Sequence, residues 1–253
     1  MKPKKKIIKK KYIYELLDNG FSNQDIKIGK KVLSSKRITM ASYTKDFEKD
    51  FAKKLGVKYA LMVNSGSSAN LLATFAAGNP LRKNSFKRGD EVLVPALCWS
   101  TSLWPLVQFG LKPIFVDIDI KTLNINIDDL KKKITKKTKA IMLINVLGLS
   151  SDLFLIKKIA EQKKIILLED NCESLGSEYK NKKTGTLGLM SSSSFYYSHH
   201  ISTIEGGMIS TNDKELYQII LCLRSHGWTR DLPEKNLVKN KSKNDFDNSF
   251  SFV

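Results

Sequence analysis

Ile165-Ile166-Leu167-Leu168-Glu169-Asp170-Asn171-Cys172-Glu173 passes from an unbroken apolar run to carboxylates within a few residues. A short apolar run bounded by polar residues reads as a strand buried on both faces, and isoleucine's branched side chain favours it. Working outward, similar runs occur at Tyr59-Ala60-Leu61-Met62-Val63, Glu91-Val92-Leu93-Val94, Pro113-Ile114-Phe115-Val116 and Ala140-Ile141-Met142-Leu143-Ile144. Helix-like, charge-faced segments lie between them, including residues 68–77, 153–162 and 214–224. Strand and helix in alternation predict an α/β fold, with a mostly parallel central sheet and helices on both faces. In open sheets of this kind ligands bind outside the carboxyl ends of the strands, which directs attention to Asp170.

Composition narrows the classes. A chain of 253 residues with 42% hydrophobic content can bury a substantial core. No run of about 18 uncharged apolar residues suggests a membrane span. The basic N-terminus lacks the apolar stretch of a secretory signal, so the cytoplasm is the expected compartment. The net charge of +18 raises the question of nucleic acid, yet only five of the 43 basic residues are arginine. Base and phosphate recognition generally relies on arginine's bidentate fork. A lysine-rich solvated surface is the expectation, and its positive field suits an anionic small substrate. Cys98, Cys172 and Cys222 are too few and too scattered for a disulfide framework or a paired-cysteine zinc site. Reduced thiols and no metal are expected.

Three motifs carry chemistry. Asn64-Ser65-Gly66-Ser67-Ser68-Ala69-Asn70 follows a strand and opens a helix, where free backbone N–H groups and the helix dipole attract phosphate. Gly66 allows close backbone approach, and Ser67 and Ser68 offer hydroxyl donors; a plain helix cap is the alternative reading. Glu169-Asp170 ends the quoted strand, where a carboxylate can pair with a protonated pyridine nitrogen. Pro95-Ala96-Leu97-Cys98-Trp99-Ser100-Thr101 follows another strand, and Trp99 offers a flat indole for stacking or, alternatively, a core side chain.

A fourth stretch gives these motifs a context. Ser194-Phe195-Tyr196-Tyr197-Ser198-His199-His200-Ile201-Ser202-Thr203-Ile204-Glu205-Gly206-Gly207 resembles the lysine segment of the DegT/DnrJ/EryC1/StrS family, sugar aminotransferases that use pyridoxal phosphate. In that family a lysine stands four residues after the Ser-Phe pair and six before Glu-Gly-Gly. Both counts land on His199. The phosphate turn, aromatic, strand-end Asp and Glu-Gly-Gly follow in the family's order, from about Ile28 onward. The resemblance implies the large domain of a fold type I pyridoxal-phosphate-dependent transferase. It assigns the phosphate to the Gly66-Ser67-Ser68 turn, ring stacking to Trp99 and the ring nitrogen to Asp170. Glu173 would lie near the ring hydroxyl, and Ser194 would add a hydroxyl to the phosphate or ring hydroxyl.

The lysine is the point of departure. An imidazole cannot hold the cofactor as an imine, but it moves protons near neutral pH. Within the family a Lys-to-His exchange marks the sugar 3-dehydratases, which remove the C3 hydroxyl of a nucleotide-linked 4-keto-6-deoxyhexose. Ser198-His199-His200-Ile201 and Ser225-His226-Gly227-Trp228-Thr229-Arg230-Asp231 resemble that branch. It implies pyridoxamine 5′-phosphate or pyridoxal 5′-phosphate held without a covalent bond, His199 as the base acting at the cofactor's C4′ carbon, and a role in deoxysugar and surface-polysaccharide biosynthesis. His200 is the alternative base. One subgroup carries a [2Fe–2S] cluster on a cysteine two residues after the strand-end Asp and on a later Cys-x-Cys. Cys172 matches the first position, but Leu232 and Glu234 occupy the others and cannot replace thiolates. No iron–sulfur cluster is expected, and the cluster-free subgroup, acting on GDP-4-keto-6-deoxymannose with glutamate as amino donor, is the nearer match.

Two other classes stay open. A sugar aminotransferase would need a lysine, and Lys180, Lys182 and Lys183 are off the family position. A basic binding protein without catalysis, or an inactive fragment, is the other. For organisation, residues 1–30 read as a lysine-rich N-terminal arm and residues 31–253 as the cofactor-binding large domain. The chain stops at the strand-like Ser249-Phe250-Ser251-Phe252-Val253, so a small C-terminal domain found in relatives is expected to be missing. The family also implies a homodimer.

Overall fold

A computed structural model describes residues 20–229 and 231–232. Two helices, α1 (Asn23–Ser34) and α2 (Ser42–Leu55), precede strand β1 (Tyr59–Val63) and helix α3 (Gly66–Ala77). Then come β2 (Glu91–Pro95), α4 (Ser100–Phe109), β3 (Lys112–Val116), α5 (Ile127–Lys133), β4 (Thr138–Ile144), α6 (Leu153–Lys163) and β5 (Ile166–Asp170). A two-strand hairpin, β6 (Glu178–Tyr179) and β7 (Lys182–Lys183), leads to β8 (Met190–Ser194), β9 (Gly207–Thr211) and α7 (Lys214–Arg224).

The main sheet has seven strands in the order β1-β9-β8-β5-β4-β2-β3. Parallel pairing joins β3, β2, β4, β5 and β8, while β9 runs antiparallel to both β8 and β1. Alternate residues of each strand feed cores on opposite faces, as the two-residue period of a strand requires. Leu168 and Ile209 pack with Ala73, Ala76, Ile219 and Ile220 on the side of α3 and α7. Leu167 and Ile141 pack with Leu130, Leu153 and Ile156 under α5 and α6. Phe51 and Leu55 of α2 cover Ala60, Phe195 and Met208 at the β1–β9 end.

All the apolar runs named above are strands, and β5 extends to include both Glu169 and Asp170. β8 and β9 are additions. The run Met190-Ser191-Ser192-Ser193-Ser194 lacks the branched and aromatic residues that announce a strand, yet every residue of it is buried. Small serines suit a strand over which a helix start passes closely. α1 buries no residue and runs across position 30, where arm and domain were divided. The rest of the arm, Arg230 and the terminal strand-like segment lie outside the described residues.

Candidate active site

Register gathers the site. Val63 pairs with Gly207, and Gly207 with Ser194, so these three lie in one row at the end of the sheet. The chain leaving β1 must then cross that row to start α3. A Cβ on Gly207 would lie 2.2 Å from the Ser65 carbonyl oxygen, and one on Gly66 would lie 2.7 Å from Cys172 Sγ. Glycine at both positions is what lets the α3 N-terminus rest against β9, β8 and the end of β5.

Hydroxyls cluster at that N-terminus. Ser65 caps the helix, its side chain accepting from the Ser68 N–H, and Ser65 Oγ donates to Ser68 Oγ at 3.1 Å. Ser67 Oγ donates to Thr101 Oγ1 at 3.0 Å, which ties the start of α3 to the start of α4. Trp99 is the N-cap residue of α4 and is 69% exposed. Exposure disposes of the core reading of Trp99.

Asp170, 5% exposed, lies beneath. Its Oδ2 accepts from Asn70 Nδ2 and from Ser102 Oγ, both at 2.7 Å. Its Oδ1 accepts the Cys172 N–H at 3.1 Å and Ser192 Oγ at 3.4 Å. Asn70 and Ser102 were not singled out in the sequence, although Asn70 closes the quoted phosphate-turn motif and Ser102 directly follows the tryptophan motif. Burial and the Asp170 charge push the Cys172 thiol well up, so it stays protonated.

Glu169 goes elsewhere. It accepts the N–H groups of Gly185 and Leu187 at 2.8 Å each and that of Gly188 as well. Burial raises its pKa, with those N–H groups and Lys157 acting the other way. Glu173 is half-buried, and its Oε2 accepts the Leu147 N–H at 3.0 Å, where Leu147 sits in the left-handed region at φ 52°. The structure therefore separates the three acidic residues of one short stretch into different settings.

His199 sits in the loop joining β8 to β9 and is partly buried, with its N–H donating to the Tyr196 carbonyl at 3.0 Å. Burial lowers its pKa most and neighbouring His200 adds to that, while Glu173 and Asp170 pull upward. The imidazole thus shares one electrostatic neighbourhood with both carboxylates. Ser194, also buried, faces Gly66 and accepts the Tyr196 N–H at 3.3 Å. The three lysines weighed earlier belong to the β6–β7 hairpin. There Lys180 pairs with Asp152 at 4.0 Å, and Lys183 Nζ donates to the Lys54 carbonyl. Among the described residues no helix is long and apolar enough to cross a membrane.

Known proteins share this fold. The chain is 52% identical over 241 residues to GDP-4-keto-6-deoxy-D-mannose 3-dehydratase of Escherichia coli O55:H7, covering 95% of this chain and 62% of that protein. A crystal structure of a histidine-to-asparagine mutant of GDP-4-keto-6-deoxymannose-3-dehydratase with bound GDP-perosamine superposes with a TM-score of 0.89 at 50% identity, over 95% of this chain and 62% of that one. A structure of the same enzyme with a trapped PLP-glutamate geminal diamine gives 0.89 and 50%, with the same coverage of 95% and 62%. The chain spans about three fifths of the length of these relatives. With a family match over residues 21–244 as well, the fold and the motifs converge: the chain belongs to the DegT/DnrJ/EryC1/StrS aminotransferase family.

Proposed function

We propose that this chain forms the cofactor-binding part of a 3-dehydratase that uses pyridoxal or pyridoxamine phosphate. Its substrate would be GDP-4-keto-6-deoxymannose or a closely related nucleotide-linked sugar, with glutamate as amino donor. The observation that carries the reading is His199: a partly buried imidazole, in the family's lysine position, within electrostatic reach of Glu173 and Asp170. The relatives named for this reaction, at 50% and 52% identity, support it.

The donor set fits a phosphorylated pyridine. Ser67, Ser68 and the α3 N–H groups would hold the phosphate. Trp99 would cover a ring face, Asp170 would oppose the ring nitrogen, and Glu173 and Ser194 would bond the ring hydroxyl or phosphate. When bound, pyridoxamine phosphate supplies a primary amine for the substrate's ketone and a ring that accepts electron density. Asp170 would set its carboxyl group against the ring nitrogen. Burial favours the neutral imidazole of His199, which can take up a proton at a ring nitrogen and pass it to the departing hydroxyl. With no amine at position 199, the cofactor is held without a covalent bond. Exposed Trp104 and Val107 on α4 support a second subunit covering that side, and a cytoplasmic homodimer belongs to the same proposal.

His199→Lys tests the assignment. Dehydration should be lost, and borohydride should now fix the cofactor to the introduced lysine. Unchanged dehydration removes His199 as the base, and borohydride fixation to a lysine of the unaltered chain removes the non-covalent reading.

A further inference from the structure

We infer that Asn70 and Ser102 are positioning residues that fix the Asp170 carboxylate for the ring nitrogen of the cofactor. The inference rests on the reading above. Asp170 receives donors from α3, from α4, from the residue two beyond it and from β8. The two shortest, both 2.7 Å, converge on Oδ2. An ionised carboxyl has about two acceptor sites per oxygen, so these bonds saturate Oδ2. Oδ1 has one backbone donor at 3.1 Å and a hydroxyl at 3.4 Å, beyond the usual hydroxyl distance of about 2.8 Å. It is the oxygen with room for one more short bond.

Burial makes the clamp effective. Asn70 and Ser102 are 2% and 0% exposed, so water does not compete for Asp170. A terminal carboxylate torsion is otherwise broad and turns easily. Each donor also lies three residues, about one helical turn, beyond a residue proposed to touch the cofactor. Asn70 follows Ser67 on α3, and Ser102 follows Trp99 on α4. The same two helix starts therefore carry the phosphate site, the stacking face and the carboxylate's two anchors, which sets their mutual spacing.

The test uses pyridoxamine phosphate labelled with ¹⁵N in the ring, bound to the 253-residue chain. The ring nitrogen of the unaltered chain should resonate at the protonated position. Ser102→Ala should move the resonance toward neutral pyridine and weaken binding about tenfold, the loss expected for one hydrogen bond to a charged group. Asn70→Leu should do the same, and Ser102→Thr, which keeps the hydroxyl, should restore the protonated signal. A protonated ring nitrogen unchanged in a folded Ser102→Ala chain would overturn the inference alone, even if Asn70→Leu failed to fold. Failure of the unaltered chain to bind pyridoxamine phosphate would overturn it together with the functional reading.

Discussion

Glu169 and Asp170 are consecutive, both almost fully buried, and anchored on opposite faces of the sheet. Asp170 is bonded by Asn70 and Ser102 on the side of α3 and α4. Glu169 holds the backbone of residues 185–188 on the other side. A strand turns successive side chains to alternate faces, so one carboxylate meets the starts of α3 and α4 and its neighbour secures a loop.

The pair should respond differently to loss of charge. Glu169→Gln turns an amide NH₂ toward backbone donors and should cost about 1–3 kcal/mol, read as a lower urea midpoint, with cofactor affinity preserved. Asp170→Asn keeps an acceptor for Asn70 and Ser102 but turns its NH₂ toward the Cys172 N–H, so it should cost a similar amount of stability and, unlike Glu169→Gln, also weaken pyridoxamine phosphate binding at least about tenfold. Equal effects of the two on both measurements would contradict the division of roles.

Gly207→Ala places a methyl group against the Ser65 carbonyl at 2.2 Å. The start of α3 must shift, at a cost of about 1–3 kcal/mol or more, and phosphate affinity should fall with it. Gly29→Ala, in α1 with nothing within 4 Å, serves as the control and should leave both unchanged or slightly improved. Fluorescence titration with pyridoxamine phosphate and a denaturant melt separate the two cases.

The pH dependence has a definite sign. A base must be neutral to act, so on the proposed role of His199 kcat/KM should fall as acid protonates it. Burial lowers that pKa, which puts the acid limb below the ordinary imidazole value of about 6.5. Glu173 pulls the other way, and Glu173→Gln should therefore move the limb to still lower pH. A limb that moves upward in that variant would exclude the proposed coupling.

Trp99→Ala changes a residue that is 69% exposed, so the melting temperature should hardly change. Loss of ring stacking should nonetheless weaken cofactor binding by up to about tenfold. Cofactor binding to the unaltered chain should quench indole fluorescence, and this variant should lose that component of the quenching.

Much of this was legible in order along the chain. Apolar runs such as Leu167-Leu168 mark strands because burial on both faces leaves no room for polar alternation. β8 was not legible, because a serine run carries no strand propensity and is buried by what passes over it. Asn70 and Ser102 were equally silent. Their partner is 100 and 68 residues away, and nothing local to either marks a carboxylate's anchor.

The sequence by itself determined the α/β class, the family resemblance and the histidine at position 199, since each is a matter of local pattern or of counting along the chain. Only the tertiary structure decided which of two adjacent carboxylates faces the starts of α3 and α4, which buried side chains hold it and why Gly207 cannot carry a side chain. Those follow from register between strands far apart in sequence, where a shift of one residue reverses every face.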